Sequence, residues 1–232
     1  MHYHDLHSWN VTPQEARVLQ DKLCSQVIKK DDFKVINTVA GVDIGFKQNI
    51  AHASVIVLSY PELQIVDGIV TQYRVSFPYI PGILSYREMP PLLVAFAYLK
   101  TVPDLIIVDG QGIAHPRRLG LASHLGLFVD IPTIGCAKSR LCGTYTEPGI
   151  EKGCYSYLKD GTEIIGAVLR TRTKVNPVFV SVGHRISLNS AIKITLDCSP
   201  KFRLPETTRY AHKASAGDVP PGVTFIDKLH TS

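Results

Sequence analysis

The sequence predicts an α/β protein built on one mixed β-sheet with helices packed on its faces. Three strand-like segments follow one another early in the chain, and their short connections favour antiparallel neighbours. Helical and strand-like segments then alternate, which is typical of a sheet covered by helices. Of the 232 residues, 45% are hydrophobic and 19% are charged, which suffices for one sizeable core and excludes a disordered or fibrous chain. We therefore expect a single domain over residues 1–232, with its core at about 12–216 and a C-terminal tail at about 217–232.

The first element is a helix with clear start signals. Thr12 stands three residues before Glu15, which is the spacing of a capping box, and Pro13 suits the first helical position. An apolar stripe at helical spacing follows. The three early strands are predicted at residues 38–46, 53–60 and 64–75.

After a proline-rich loop, the predicted elements alternate between helix and strand. Helices are predicted at residues 84–100, 119–127, 188–196 and 206–215. Strands are predicted at residues 104–109, 132–137, 163–170 and 178–182. No regular element is assigned to the polar, glycine-containing stretch between the second and third of these strands. The basic residues Arg170, Arg172 and Lys174 are expected at the surface.

Composition narrows the class of protein. Lysine and arginine number 25 against 20 acidic residues, so the formal net charge of +5 permits a polyanionic partner without demanding one. The apolar runs are too short for a membrane span, and the first residues lack the apolar segment of a secretory signal. The five cysteines form no CxxC pair and no zinc pattern, so free thiols in a reducing compartment are expected. We expect a cytoplasmic monomer that does not contact a membrane.

Two acidic residues occupy strands where a carboxylate is costly. Asp43 interrupts an apolar strand and Asp109 ends one, and a buried carboxylate is strongly unfavourable unless it is paired or bound to a cation. Capping of the turn before Gly110 is the structural alternative for Asp109. If the two strands are neighbours, carboxylates about 4 Å apart repel by roughly 4 kcal/mol at an effective dielectric constant near 20. Such a site takes up a proton or a hard cation such as Mg²⁺, for which Glu88 is a third candidate ligand.

The order of these acids resembles that of the ribonuclease H-like nucleases, which hold metal ions for attack on a phosphodiester. The motifs around them resemble those of the endonuclease V family over about residues 40–215. In chain order these motifs are VDIGF at 42–46, PYIPG at 78–82, RE at 87–88, VDGQG at 108–112, HPRRLG at 115–120, ASHLG at 122–126, PTIG at 132–135, Lys138 and AHKA at 211–214. One position departs from the family pattern, because Gln111 stands where histidine is common. Glutamine does not titrate near neutrality but keeps a hydrogen-bond donor and an acceptor, so the departure affects a proton-carrying role and not the metal site.

The resemblance implies a fold, an activity and a cofactor. The fold is ribonuclease H-like, and the activity is that of a Mg²⁺-dependent DNA repair endonuclease in which Mn²⁺ is expected to substitute. The substrate is double- or single-stranded DNA containing deoxyinosine, the product of adenine deamination, and inosine-containing RNA is the alternative polymer. The cut falls one nucleotide beyond the lesion on its 3′ side and leaves 3′-hydroxyl and 5′-phosphate ends.

The resemblance also assigns the catalytic residues. Asp43, Asp109 and Glu88 are the expected metal ligands, with Glu88 either a ligand or an orienter of water. His212 is the candidate general base or transition-state orienter, whereas a lone histidine is otherwise more often structural. Lys138 is the candidate point charge on the scissile phosphate, and an ordinary surface lysine is the alternative.

A rigid loop and a glycine-rich pocket complete the expected DNA-binding site. Pro78, Tyr79, Ile80 and Pro81 form a stiff apolar segment, which is either docked on its own domain or, as the resemblance implies, a wedge that enters the base stack. Tyr79 leads this wedge. The expected phosphate contacts are His115, Arg117 and Arg118, for which a solvated charge cluster is the alternative. The expected pocket for the flipped base is lined by Gly82, Leu84, Gly110, Gly112, Gly120 and Leu141.

Two alternatives from other functional classes stay open on sequence alone. One is a nucleic-acid-binding module that keeps the fold without the chemistry, although all the acids and His212 are present. The other is an α/β enzyme for a small phosphorylated substrate that uses Gly110-Gln111-Gly112 as a phosphate loop, although the full glycine-rich fingerprint is missing. Within the nuclease class, an inosine-specific ribonuclease is the alternative to an enzyme that acts on DNA.

Overall fold

A nine-stranded sheet runs through the computed structural model, which describes residues 3–231. In chain order, the strands are β1 (Thr38–Lys47), β2 (Ile50–Ser59), β3 (Ile65–Arg74), β4 (Leu105–Val108), β5 (Thr133–Ala137), β6 (Tyr155–Asp160), β7 (Glu163–Leu169), β8 (Val178–His184) and β9 (Thr224–Thr231). In space they follow the order β6-β7-β8-β5-β4-β1-β2-β3-β9. The central strands β1, β4 and β5 are parallel, β9 is parallel to β3, and the other neighbours are antiparallel. The predicted mixed sheet is confirmed.

Five helices flank the sheet in the described part of the chain. They are α1 (Pro13–Leu23), α2 (Ser85–Tyr98), α3 (Leu121–Val129), α4 (Leu188–Asp197) and α5 (Glu206–Ser215). One buried cluster joins α2 and α3 to one face of the sheet, and a second joins α4 and α5 to the other. The predicted capping box of α1 is present, because Thr12 and Glu15 accept hydrogen bonds from each other's backbone N–H groups. No helix within residues 3–231 combines the length and apolarity that a membrane span requires.

The strand β1 divides its side chains between these two layers. Alternate residues belong to the cluster under α2 and α3, whereas Gly41, Asp43 and Gly45 lie on the side of α5. A Cβ atom at Gly41 would lie 2.1 Å from the carbonyl oxygen of Thr207, and one at Gly45 would lie 2.7 Å from that of Ser215. The absence of both side chains therefore lets the backbone of α5 rest directly on β1, on either side of Asp43.

Two strands lie outside the set that the sequence predicts. The first, β6, occupies part of the polar stretch without an assigned element, and the second, β9, occupies the C-terminal tail. Both form edges of the sheet. In β6 only Leu158 is buried, and β9 has no buried residue. Because these strands are held mainly by backbone pairing, the apolar alternation that marks a half-buried strand is missing from their sequences.

The expectation that Arg170 lies at the surface is wrong, whereas Arg172 and Lys174 are exposed as predicted. Arg170 is 6% exposed and its guanidinium donates to Glu147 at 2.8 Å. It also donates to the carbonyl oxygens of Gly149 at 3.1 Å and of nearby loop residues. A planar group with several N–H donors can satisfy many carbonyls at once, so Arg170 organises the irregular loop that precedes β6.

Replacement of Gly41 by alanine is expected to destabilise the protein by about 1–3 kcal/mol, the usual cost of adding atoms to a filled core. The added Cβ atom clashes with the backbone of Thr207, and only a displacement of α5 relieves the clash. Urea unfolding followed by circular dichroism measures the change. Gly110→Ala is the matched control, because its Cβ atom would come no closer than 3.6 Å to Leu121. An equal loss of stability in both variants would contradict the close packing of α5 on β1.

Candidate active site

Asp43 and Asp109 lie at the carboxyl ends of two neighbouring parallel strands. In the register of β1 and β4, Val42 is opposite Val108, so each aspartate is one residue beyond a paired position. The two side chains are only 14% and 17% exposed. The condition for the predicted site is therefore met, because these strands are neighbours and bring two largely buried carboxylates to one edge of the sheet.

Glu88 brings a third carboxylate to this edge from the first turns of α2. Burial raises the pKa of Glu88 to about 8, and the negative charges of Asp43 and Asp109 contribute to the rise, which Arg87 opposes. The three carboxylates therefore act on one another electrostatically and form one unit, hereafter the acidic cluster. Near neutral pH, this cluster favours either a proton on Glu88 or a bound cation.

Helix α5 supplies polar partners to Asp43. The hydroxyl group of Ser215 donates to Oδ2 of Asp43 at 2.5 Å, and Nδ1 of His212 lies 3.3 Å from the same oxygen. The side chain of His212 is 65% exposed, so its other edge is open to solvent. Ser215 is absent from the residues that the sequence analysis singles out. The signal that could have found it is its position three residues after His212, on the same face of the helix.

Lys138 places a positive charge beside the acidic cluster. Its Nζ lies 2.5 Å from Oδ2 of Asp109, and its side chain is 45% exposed. Lys138 directly follows β5, which is parallel to β4, so it reaches the same edge of the sheet as Asp109. Arg203 donates to its backbone carbonyl at 2.6 Å. The lysine neutralises one carboxylate and remains accessible to an anionic ligand.

The acidic cluster fits a divalent cation by its chemistry. Carboxylate oxygens are the ligands that Mg²⁺ and Mn²⁺ prefer. Burial first, and then the charges of Asp43 and Asp109, raise the pKa of Glu88, while Lys138 pairs with Asp109. Among residues 3–231, no three histidine, cysteine, aspartate or glutamate side chains already surround a common point at ligand distance. Binding of a cation would therefore include a rearrangement of these carboxylates.

A cavity of about 350 Å³, hereafter the site cavity, opens beside Asp109 and Lys138. Five of the six residues predicted for the base pocket line it, namely Gly82, Leu84, Gly110, Gly120 and Leu141. Gly112 does not line the cavity, which corrects that part of the prediction. A Cβ atom at Gly112 would lie 2.0 Å from the carbonyl oxygen of Val182, so this glycine permits the close approach of β8.

The predicted wedge segment of Pro78, Tyr79, Ile80 and Pro81 projects next to the site cavity. Tyr79 is 68% exposed, and both prolines are exposed as well. Ile80 is half-buried and packs into a small hydrophobic cluster under the segment. Tyr79 and Pro81 contribute to the cavity wall. The tip of the segment is therefore free of the domain, and Ile80 anchors it.

His115 and Arg117 hold the root of the wedge segment. Both contact the carbonyl oxygen of Gly82, with Nε2 of His115 at 3.0 Å and Nη2 of Arg117 at 2.6 Å. Arg117 also donates to Gln20 at 2.6 Å. Burial lowers the pKa of His115 to about 4, and the charge of Arg117 lowers it as well. His115 is therefore neutral near pH 7 and acts as a hydrogen-bonding group.

The three residues predicted to contact phosphate each have a partner within the protein. His115 is buried and uncharged, and Arg117 is engaged by Gly82. Arg118 donates to Asp160 at 2.7 Å and to Glu163 at 2.8 Å, which ties its loop to the β6–β7 hairpin. In the free protein these side chains hold the surrounding loops in place, and direct contact with phosphate stays a prediction.

Gln111 is a buried residue in the wall of the site cavity. It is 8% exposed, and its Nε2 donates to the carbonyl oxygen of Ser139 at 2.9 Å. Its Oε1 atom is buried and has no hydrogen-bond partner in the described part of the chain. One acceptor in the cavity wall is thus left unsatisfied.

The fold and the site together define a class of protein. The site combines carboxylates at the ends of central parallel strands with a lysine, an accessible histidine and a cavity. This combination is typical of a hydrolase that acts on phosphodiester bonds.

Comparison with known proteins then gives the family. The family model of endonuclease V matches residues 21–213. An endonuclease V of Nostoc sp. is 52% identical over 219 residues, which cover 93% of this chain and 99% of that relative. The chain belongs to the endonuclease V family, whose members are nucleases.

Solved structures of the family have the same fold. An endonuclease V of Streptomyces avermitilis superimposes with a TM-score of 0.86 at 42% identity, over 90% of this chain and 93% of that chain. Endonuclease V of Ciona intestinalis, in complex with a 24mer DNA containing an inosine followed by a ribo-adenosine, gives a TM-score of 0.79 at 32% identity. That match covers 88% of this chain and 95% of the other. The predicted ribonuclease H-like fold is confirmed.

Replacement of Glu88 by glutamine is expected to stabilise the metal-free protein at alkaline pH. The pKa of Glu88 is raised from 4.5 to about 8 on folding, so its contribution to stability is complete below about pH 4.5 and is lost as pH rises through 8. The variant avoids this loss, and we expect it to be more stable than the wild type by about 2–4 kcal/mol at pH 9 and equally stable at pH 4.

Urea unfolding in EDTA at both pH values measures this difference. Glu62→Gln is the control, because Glu62 is an exposed surface residue. A stability difference between the Glu88 variant and the wild type that is the same at pH 4 and pH 9 would contradict the raised pKa.

Proposed function

We propose that the protein is a DNA repair endonuclease that recognises deoxyinosine and hydrolyses a phosphodiester bond one nucleotide beyond it on the 3′ side. The products are 3′-hydroxyl and 5′-phosphate ends. The observation that carries the proposal is the juxtaposition of the acidic cluster with the site cavity, which share Asp109. Membership of the endonuclease V family and the inosine-containing DNA bound by the Ciona intestinalis relative support the choice of substrate.

Asp43, Glu88 and Asp109 are the residues that would hold the metal cofactor. When bound, Mg²⁺, for which Mn²⁺ would substitute, supplies positive charge that offsets the negative charge of the reacting phosphodiester. The acidic cluster is suited to bind a cation, because burial and two neighbouring carboxylates make the ionised form of Glu88 unfavourable without one. A cation that entered the cluster would relieve this repulsion.

His212 is suited to move a proton at the edge of the cluster. With its Nδ1 proton directed at Oδ2 of Asp43, the imidazole keeps a lone pair at Nε2, on its solvent-exposed side. A water molecule that attacks the phosphate in line with the leaving oxygen loses its proton to this nitrogen. Asp43 orients the imidazole ring, and Ser215 holds Asp43, because His212 and Ser215 both contact Oδ2 of Asp43.

Lys138 is suited to hold the scissile phosphate. In the free protein its ammonium group pairs with Asp109, and nearly half of its side chain is exposed. If Asp109 held the cation, the ammonium group would lose this ion pair and would be available to the phosphate as a point charge.

The wedge segment and the site cavity are suited to extrude and hold the damaged base. An exposed aromatic tip that enters the base stack compensates for the stacking lost by the extruded base. Tyr79 belongs to both the wedge segment and the site cavity, because it forms the tip of the first and lines the second. The extruded hypoxanthine would enter the cavity, and the acidic cluster would then face the neighbouring phosphates.

A cleavage assay on two DNA duplexes that differ by one deoxyinosine tests this function. With Mg²⁺, the wild type is expected to nick the strand just 3′ of the inosine and to leave a 5′-phosphate. Asp43→Ala and Asp109→Ala are expected to lose cleavage by at least about a thousandfold and to retain binding to the inosine strand, because both remove carboxylates from the reacting centre. Asp21→Ala, at an exposed position on α1, is the matched control.

The same assay separates the alternatives. Tight inosine-specific binding by the wild type without cleavage would identify a binding module. Cleavage of an inosine-containing RNA strand in strong preference to the DNA strand would identify a ribonuclease. Cleavage without preference for inosine would contradict the proposal that the protein is a repair enzyme for deoxyinosine.

Tyr79→Ala is expected to reduce cleavage of duplex DNA much more than cleavage of a single strand. The tyrosine replaces a lost stacking partner only where a duplex must be opened, and we expect a loss of roughly tenfold to hundredfold on the duplex. Its 68% exposure predicts an unchanged melting temperature. Single-turnover rates on matched single- and double-stranded inosine substrates measure the effect. Equal losses on both substrates would show that Tyr79 does not act as a wedge.

A further inference from the structure

Two glutamine side chains line the site cavity, and they differ in how their amide groups are satisfied. Gln20 is paired at both ends, because its Nε2 donates to the carbonyl oxygen of Leu119 at 3.0 Å and its Oε1 accepts from Arg117 at 2.6 Å. Gln111 is paired at one end only. Its Nε2 donates to the carbonyl oxygen of Ser139 at 2.9 Å, whereas its Oε1 has no partner among residues 3–231.

The bond to Ser139 determines which end of the Gln111 amide is left for a ligand. A backbone carbonyl accepts hydrogen bonds and cannot donate them, so the amide nitrogen must face Ser139 and the oxygen must point elsewhere. Gln111 is only 8% exposed, and Leu84 and Leu141 in the same cavity wall have no side-chain donors. The Oε1 atom is closed off from solvent in the free protein, so a donor in the cavity reaches it only after a shift of the cavity wall. The hydrogen bond then relieves the cost of a buried acceptor without a partner.

Deamination of adenine creates a donor of the required kind. Adenine carries a lone pair at ring nitrogen N1, whereas hypoxanthine carries a hydrogen there, beside its new carbonyl group. An acceptor in the pocket therefore forms a hydrogen bond with hypoxanthine and faces another acceptor in adenine. In the second case, both buried groups are left unpaired, which is the strongest form of discrimination by a polar site.

We infer that Oε1 of Gln111 accepts a hydrogen bond from the N1–H group of the flipped hypoxanthine and thereby separates inosine from adenosine. This role rests on the proposed function and assigns the recognition to one side chain in the wall of the site cavity. The group recognised is the ring N–H, so a purine that lacks it binds weakly even when it has no exocyclic amino group to exclude.

The test compares three DNA duplexes that contain deoxyinosine, deoxyadenosine or deoxynebularine at one position. Nebularine has the lone pair of adenine at N1 and no exocyclic substituent, so it lacks the N–H donor and the carbonyl oxygen of hypoxanthine without adding the amino group of adenine. The contribution of the N–H group itself is isolated by the variant of Gln111 described below. Dissociation constants come from fluorescence anisotropy with Ca²⁺ in place of Mg²⁺, so that binding is measured apart from cleavage. We expect the wild type to prefer inosine to nebularine by roughly fivefold to a hundredfold, the range for one buried hydrogen bond.

Gln111→Met is the decisive variant, because it keeps the volume of the side chain and removes the acceptor. Its preference for inosine over nebularine is expected to fall by roughly fivefold to a hundredfold, the contribution of the hydrogen bond to N1–H. Gln72→Met is the control, at a half-buried glutamine on β3 that does not line the site cavity. It is expected to leave the preference for inosine over nebularine unchanged.

A Gln111→Met protein that keeps the wild-type preference would overturn the inference. A wild-type protein that binds inosine and nebularine equally, while it still rejects adenosine, would overturn it as well, without recourse to any variant. Failure of the proposed function has a different signature. In that case the wild type would neither prefer inosine to adenosine nor cleave beside it.

Discussion

Mutual repulsion within the acidic cluster is the constraint around which the rest of the structure is arranged. Asp43, Glu88 and Asp109 come from three different elements, and each element must be held firmly enough to keep like charges together. The two hydrophobic layers on the faces of the sheet supply that rigidity. The polar partners of the site then act locally, because Lys138 contacts one carboxylate and Ser215 another. Folding thus stores unfavourable electrostatic energy at the place where a cation would release it.

The acids themselves could be predicted from the sequence because they violate a local pattern. An aspartate inside or at the end of an apolar strand is visible without any structure, and the alternation of helical and strand-like segments indicates a mixed sheet covered by helices. The contacts that orient the acids could not be predicted in the same way. Ser215 reaches Asp43 because α5 rests on glycine backbone at Gly41 and Gly45, and this approach depends on a helix that lies far away in the chain.

The contacts and exposure of the basic side chains were the hardest features to predict from the sequence. The sequence shows that Arg117, Arg118 and Arg170 are basic, but their partners lie in other segments and decide whether they are exposed. Glycines present a similar difficulty. Gly110 and Gly112 are two residues apart, yet the first lines a cavity and the second admits a neighbouring strand. The edge strands β6 and β9 were missed because backbone pairing, rather than burial of side chains, holds them in the sheet.

The hydrogen bonds of His115 and Arg117 to the carbonyl oxygen of Gly82 make the wedge segment stiff at its root, while Tyr79 stays exposed at its tip. A stiff tip does not yield when it presses on a base pair, so the deformation falls on the DNA and not on the protein. In the proposed reaction, the free energy for opening the helix comes from the binding of the DNA. Base pairs that are already weak, as at a damaged base, therefore open first. The protein would then sample the mechanical strength of each pair before its pocket samples the chemistry of the base.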